Sequence, residues 1–119
     1  MLPPERDAAY LWDMLEAARC VRDFVAGKTF DDYNSDALMR SAVERQVEIL
    51  GVAANRVSPD FQAAHLDIPW RQIIGQRNVL AHEYRDIAAK LMWAVATERV
   101  ADLVDMLEPL IPELPESAE

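Results

Sequence analysis

Apolar residues recur every three or four positions along most of the chain, and this spacing constrains the fold more than any other feature. Such spacing places residues on one face of an α-helix, whereas a half-buried strand alternates with a period of two. The first long run comprises Leu11, Met14, Leu15, Ala18, Val21 and Val25. The second comprises Leu38, Ala42, Val43, Val47, Leu50, Ala54 and Val57. Because no segment alternates like a strand, the sequence predicts an all-α fold.

Proline, glycine and small polar residues predict where the first two helices begin and end. We expect the first helix to open at Pro3-Pro4 and to stop at Gly27, because proline fits a first helical turn and glycine a helix end. Thr29 to Ser35 is predicted to be a polar loop, with Asn34 or Ser35 capping a second helix from about Asp36 to Arg56. Cys20 falls between apolar positions of the first helix, which predicts a small buried side chain.

The second half of the chain predicts a short helical turn and two further helices. Ser58-Pro59 has the pattern of a cap and a first helical position. A third helix is expected from Pro69, with Gly75 inside it where another backbone packs closely. The fourth is expected from Ile87 or Ala88, with Ile87, Leu91, Ala94 and Val95 as its first buried stripe and a bend or change of packing partner near Thr97. These elements predict an up-and-down four-helix bundle with one short additional helix.

Length and composition indicate one domain. The 119 residues are enough for a single core, and an apolar content of 51% is typical of a globular protein. We expect the domain to span residues 1–111, followed by an acidic, mobile tail at 112–119 that begins with proline. The sequence contains no apolar run of about 20 residues and no signal-peptide pattern, which predicts a cytoplasmic protein without a membrane partner.

Charge and ligand content restrict the chemistry. The net charge of -9 argues against a broad nucleic-acid surface, so any contact with RNA must be local. With one cysteine and two histidines, Cys20, His65 and His82, the sequence has no metal-ligand cluster, and we predict no metal and no cofactor. His65 lies in a connector and is assigned no catalytic role.

The segment from Arg77 to Tyr84 concentrates the reactive side chains. Arg77 can bind a phosphate through two parallel hydrogen bonds, and the imidazole of His82 can transfer a proton near neutral pH. Asn78 can orient either group, while Tyr84 offers a hydroxyl donor. Together these groups are suited to RNA cleavage without a metal. Spacing alone is also compatible with an amphipathic helix end whose Arg77 and His82 are only solvated.

A straight helix brings these side chains together poorly. Arg77 and Tyr84 are seven residues apart and share a face, but His82 is five residues from Arg77 and lies well round the helix. Two arrangements resolve this difficulty. Either the helix ends near His82 and the chain turns, or a second copy of the protein completes the site.

The pattern Arg77-Asn78-x-x-x-His82-x-Tyr84 resembles the signature of the HEPN superfamily, and specifically of the HepT-like toxins. Ile68 to Gly75 and Ala42 to Gly51 are similar to other recurrent segments of that family, and the resemblance covers about Ala9 to Leu107. It implies a HEPN-like bundle and a homodimer in which two motifs meet. It also implies metal-independent endoribonuclease activity, with Arg77 and His82 as catalytic residues and the ribose 2′-hydroxyl as nucleophile.

The same resemblance implies a mode of control. HepT-like toxins are paired with a nucleotidyltransferase antitoxin that transfers AMP to the motif tyrosine, here Tyr84, in a type VII-like toxin–antitoxin system. A different class of function stays open on the residues alone. The chain could be a non-catalytic helical module that binds a nucleotide or a partner and works with a nucleotidyltransferase, and its acidic composition favours this alternative modestly.

Overall fold

The fold is described from a computed structural model, which places residues 5–75 and 85–111. The chain forms α1 (Glu5–Val25), α2 (Phe30–Ser35), α3 (Ala37–Arg56), α4 (Pro59–Ala64), α5 (Trp70–Gly75), α6 (Arg85–Ala94) and α7 (Val100–Leu107). A π-helical turn (Val95–Arg99) joins α6 to α7, and a 3₁₀ turn (Glu108–Leu110) follows α7. The described ranges contain no strand, which confirms the predicted all-α class.

The long helix α1 is central to the bundle and packs against both α3 and α7. The predicted stripe is confirmed: Leu11, Met14, Ala18 and Val21 are fully buried. Full burial of a leucine, methionine or valine side chain stabilises the fold by about 1.5–3 kcal/mol, so this face of α1 is a main source of stability. Cys20, predicted to be buried, is instead partly exposed because it lies at the edge of the stripe.

The predicted loop from Thr29 to Ser35 is wrong, because this segment forms α2. The side-chain oxygen of Thr29 accepts a hydrogen bond from the Asp32 amide at 3.1 Å, and the Thr29 amide donates to Asp32 Oδ2 at 2.9 Å. This reciprocal capping box stabilises a helix start in a polar sequence. The Thr29 donors also lower the pKa of Asp32. Upstream, Gly27 adopts a φ of 74°, as expected of a glycine that ends a helix.

Asp36 rather than Asn34 or Ser35 caps α3. Its Oδ1 accepts hydrogen bonds from the amides of Leu38 and Met39, at 3.0 and 3.1 Å. The buried face of α3 is otherwise as predicted, with Val43, Val47, Leu50 and Ala54 in the core. Leu38 is the exception, since 81% of it is exposed in the first turn of α3.

A buried carboxylate connects α1 to the start of α4. Asp7 is 2% exposed, and its two oxygens accept hydrogen bonds from the amide and hydroxyl of Ser58, at 2.9 and 2.6 Å. Ser58 in turn accepts a hydrogen bond from the Phe61 amide at 3.2 Å, which confirms the predicted cap before Pro59. The pair of residues therefore fixes the direction in which α4 leaves the bundle.

The predicted start of the fourth helix is wrong, because Arg85 and Asp86 are already helical in α6. Among the α6 side chains that the structure describes, Ala89 and Met92 are buried, whereas Leu91, predicted to be in the core, is 49% exposed. The side chain of Ile87, which belongs to the predicted stripe, lies outside the described residues. Near Thr97, where a bend or change of packing partner was predicted, the helix has its π-helical turn, and the packing partner changes from α2 for α6 to α1 for α7. Beyond the turn Val100, Leu103, Val104 and Leu107 are buried. None of the helices in the described ranges is long and apolar enough to cross a membrane.

Candidate functional site

The motif residues lie outside the part of the chain that the structure describes. Arg77, Asn78, His82 and Tyr84 all fall between Gly75, where α5 ends, and Arg85, where α6 is first described. Their predicted roles therefore stay predictions. The structure instead shows how the two helices on either side of this segment are held, and which side chains surround them.

On the N-terminal side of the motif, α5 is anchored in the core. Trp70 is 6% exposed, and its indole Nε1 donates a hydrogen bond to the His65 carbonyl at 3.0 Å. Ile73, one turn later, is also buried, and α5 packs against α3. The His65 ring stacks on Phe61 with 4.2 Å between centroids. The His65 ring and carbonyl therefore both contribute to holding α5 against the bundle.

On the C-terminal side, α6 is anchored through an aromatic cluster. Trp93 lies 5.3 Å from Tyr33 and 6.3 Å from Phe30, measured between ring centroids. Aromatic pairs at these separations add about 0.5–1.5 kcal/mol beyond the burial of their surface. Because Phe30 and Tyr33 belong to α2, the capping box that forms α2 also positions the helix that follows the motif.

Tyr33 is the unusual member of this cluster. It is fully buried, and its hydroxyl has no hydrogen-bond partner among the described residues. Burial raises the pKa of Tyr33 to about 12, with a further increase from the Glu44 carboxylate and an opposing effect of Arg40. The buried phenol is therefore harder to ionise than an ordinary tyrosine, which makes Tyr33 a poor nucleophile.

Tyr33 is expected to make the fold sensitive to alkali. Its pKa is 10.0 in the unfolded reference and about 12 in the folded protein, so the neutral phenol stabilises the fold below pH 10. This contribution is lost as the pH rises from 10 towards 12. Urea unfolding followed by circular dichroism should show a smaller alkaline loss of stability in Tyr33→Phe than in the wild type. The half-buried Tyr10 provides the control, because Tyr10→Phe should keep the wild-type loss; equal losses in all three proteins would contradict the assignment.

The π-helical turn places an arginine beside α5. The amide of Val100 donates to the Val95 carbonyl, and the Thr97 hydroxyl donates to the Trp93 carbonyl at 2.8 Å. A side-chain donor that occupies a helix carbonyl in this way favours a local departure from α geometry. Arg99 leaves the turn towards α5, where Nη1 donates to Gln72 Oε1 at 3.0 Å.

A groove of about 890 Å³ lies between α4 and α5. Its apolar walls include Ala63, Leu66 and Ile74. Its polar lining residues are Gln62, Arg71 and Gln72, and Arg71 is the one charged side chain among the described residues that line it. The sequence predicted no role for these polar residues. A signal was present, because no aspartate or glutamate occurs between Asp67 and Glu83 in this acidic chain.

Gly75 borders this groove and does not show the close packing that was predicted. Within the described ranges, no atom lies within 4 Å of the position that a Cβ would occupy at Gly75. The same ranges contain no group of three or more histidine, cysteine, aspartate or glutamate residues placed to hold a metal ion. The described residues thus provide a cation, two amides and apolar walls beside the start of the motif.

The helices and the motif define an all-α protein of the HEPN type. A family model described as "Ribonuclease HepT-like" matches residues 14–110, and the chain belongs to this HepT-like ribonuclease family. The match includes α3, α5 and α6, together with the whole Arg77 to Tyr84 segment. No solved structure matches the chain significantly.

Curated relatives agree with this assignment. A Methanocaldococcus jannaschii protein, whose name gives RNase as an inferred activity, is 32% identical over 84% of this chain and 92% of its own length. A Thermococcus cleftensis protein named "Probable ribonuclease HepT" is 32% identical over 85% of this chain and 92% of its own length. A second M. jannaschii protein with an inferred RNase name is 29% identical over 93% of both chains.

Proposed function

We propose that this protein is an endoribonuclease and the toxin of a type VII-like toxin–antitoxin pair. The observation that supports this most is the family match over residues 14–110, which spans the complete Arg77-x4-His82-x-Tyr84 pattern. Two relatives that align with this chain over 92% of their own length carry RNase names. We place the reaction in the cytoplasm, in a single domain of residues 1–111 with 112–119 as a tail.

In the proposed reaction the ribose 2′-hydroxyl is the nucleophile. Arg77 binds the phosphate and stabilises the negative charge that builds on it, with Asn78 and Tyr84 in supporting positions. His82 accepts the 2′-hydroxyl proton or donates one to the leaving oxygen. The bond from O2′ to phosphorus forms while the bond from phosphorus to O5′ breaks. The products are a 2′,3′-cyclic phosphate and a 5′-hydroxyl, and no metal is required.

We further propose that the active form is a homodimer. The five-residue separation of Arg77 and His82 places them on different faces of a regular helix. Two motifs that meet across a symmetric interface would allow Arg77 of one copy to work beside His82 of the other. The anchoring of α5 by Trp70 and of α6 by Trp93 supports a fixed position for the two helices that lie on either side of each motif in the chain.

Cleavage in the presence of a chelator tests this function. Purified protein should cut RNA equally well with and without EDTA, and the products should carry 2′,3′-cyclic phosphate and 5′-hydroxyl ends. These ends follow from attack by the neighbouring 2′-hydroxyl and differ from those of metal-assisted hydrolysis by water. RNA in which the 2′-hydroxyls are methylated should not be cut. Cleavage that requires added metal, or that proceeds on the methylated RNA, would rule out the mechanism.

The net charge of -9 favours a second candidate, a module that binds a nucleotide or a partner for a nucleotidyltransferase and cuts nothing. A ribonuclease usually attracts its substrate with positive charge, which this chain as a whole lacks. Expression of the protein alone separates the two candidates. A toxin arrests growth, and Arg77→Ala relieves the arrest, whereas a binding module leaves growth unchanged.

A further inference from the structure

We propose that the groove between α4 and α5 binds single-stranded RNA beside the cleavage site, with Arg71 holding a backbone phosphate. This inference rests on the proposed ribonuclease function and adds to it a path for the substrate. An acidic enzyme that acts on a polyanion needs at least one local region where phosphates are not repelled. The α4–α5 groove has the charge, shape and hydrogen-bonding groups of such a region.

The charge of the groove is opposite to that of the whole chain. The chain carries 21 acidic and 12 basic residues, yet the one charged side chain among the described lining residues is Arg71. Arg71 is exposed, so its guanidinium is available for two parallel hydrogen bonds to a phosphate. Arg99 lies on the other side of Gln72, to which it donates a hydrogen bond at 3.0 Å. Two cations therefore flank this part of α5.

The walls of the groove suit unpaired bases. Its volume of about 890 Å³ falls within the range of about 300–1,000 Å³ that is usual for ligand sites. Leu66 is 77% exposed on one wall, so it offers an apolar surface to a molecule in the groove. Single-stranded RNA presents flat, weakly hydrated base faces that pack against apolar and aromatic side chains.

Two glutamine side chains in the groove have their amide groups oriented in advance. Gln62 Nε2 donates to the Ala54 and Val57 carbonyls, at 3.2 and 2.9 Å, which leaves Oε1 as an acceptor. Gln72 Oε1 accepts from Arg99, which leaves its Nε2 as a donor. A fixed acceptor and a fixed donor can hydrogen-bond base edges without the entropic cost of ordering the side chains.

The groove also has a suitable place along the chain. It extends to Gly75, and Arg77 is the second residue after Gly75 in the sequence. A strand of RNA in the groove thus lies against the helix that leads directly into the proposed catalytic motif. An apolar groove can also receive a helix of another protein, but an exposed arginine and two oriented amides in the same lining are better matched to a phosphate and its neighbouring bases.

Binding of a non-cleavable RNA tests the proposal. The probe is a fluorescent single-stranded oligonucleotide with 2′-O-methyl riboses, and fluorescence anisotropy gives its affinity over a range of salt concentrations. Arg71→Ala should weaken binding about tenfold at low salt, as expected for the loss of a charged hydrogen-bonding partner. It should also reduce the slope of log affinity against log salt by about 0.7, the value for one phosphate contact on a single strand.

Two further variants separate a local effect from a general one. Arg22→Ala removes an exposed arginine of α1, away from the groove, and should leave both affinity and slope unchanged. Ala63→Glu places a carboxylate on the groove wall, where it should repel the phosphates of the RNA and weaken binding. Circular dichroism of each variant checks that the helices are intact.

The outcomes distinguish the groove from the proposed function. Wild-type affinity in both Arg71→Ala and Ala63→Glu would overturn the groove proposal, as would a wild-type protein that does not bind the probe. Variants that change self-association and leave RNA affinity intact would also overturn it, by identifying the groove as a protein interface. The ribonuclease function is judged separately, by cleavage of natural RNA in the presence of EDTA. If the wild type cuts RNA and the groove variants bind the probe as well as the wild type does, the groove proposal alone is refuted.

Discussion

Replacing His82 with alanine is expected to lower the rate of RNA cleavage by about two to four orders of magnitude, the usual contribution of a positioned general acid or base. The phosphate would still be bound by Arg77, so RNA affinity should change far less than the rate. A loss confined to the rate is the behaviour of a group that acts in the transition state. Single-turnover cleavage and anisotropy binding, measured on the same preparation, give the two quantities.

The chain offers a matched control for this experiment, because His65 is its other histidine. The His65 ring stacks on Phe61 and its carbonyl accepts from Trp70, so His65→Ala removes an imidazole from a structural position. His65→Ala should lose some stability and keep its cleavage rate. Full activity in His82→Ala would remove His82 from the mechanism, and a comparable loss in both variants would point to a shared folding defect.

Replacing Tyr84 with phenylalanine is expected to prevent modification by a nucleotidyltransferase antitoxin while the protein stays toxic. The phenol oxygen would attack the α-phosphate of ATP, the bond to the leaving pyrophosphate would break, and the phenolic proton would pass to a base of the antitoxin. The attached AMP carries a phosphodiester charge that can occupy Arg77 in place of the substrate. On co-expression, intact-mass spectrometry should show one or more added AMP units on the wild type and none on Tyr84→Phe.

The other tyrosines serve as controls for this assignment. Tyr33 is fully buried with its pKa raised to about 12, so it is a poor acceptor for AMP. Tyr10 is partly exposed on α1, and Tyr10→Phe should be modified like the wild type. Modification that persists in Tyr84→Phe would identify another acceptor. An antitoxin that neutralises Tyr84→Phe by binding alone would show that control does not require AMP transfer.

Sequence periodicity predicted the buried faces of α1 and α3 because each is long and has one dominant neighbour. It failed at Leu38, which precedes the part of α3 that packs, and in α6, where Leu91 is exposed while Met92 is buried. The rotation of α6 is set by contacts of Trp93 with Phe30 and Tyr33, and these belong to a helix that was predicted to be a loop. The polar sequence of α2 predicted a loop, whereas two specific hydrogen bonds between Thr29 and Asp32 stabilise it as a helix.

The candidate site also has one part that could be predicted from the sequence, the motif, and one part that could not, the groove. The motif can be recognised in sequence because its reactive groups lie within eight residues and match a family pattern. The groove cannot be recognised in the sequence, because two separate helices, α4 and α5, form it. Arg99, which donates a hydrogen bond to the lining residue Gln72, is 27 residues away from it in the chain. Only the acid-free run from Ile68 to His82 hints at it in the sequence. Chemistry that is contiguous in the chain is thus predictable, while a surface assembled from separate helices is not.

The π-helical turn between α6 and α7 sets the register of everything that follows it. A regular helix continued from Met92 would bring Arg99, seven residues on, to the buried face, whereas the wider turn brings Val100 there instead. The extra residue therefore behaves like an insertion that the helix absorbs without forming a loop. When relatives are aligned, a one-residue gap between Val95 and Arg99 would mark a relative in which a regular α-helix replaces the π-helical turn while the buried face of α7 stays the same.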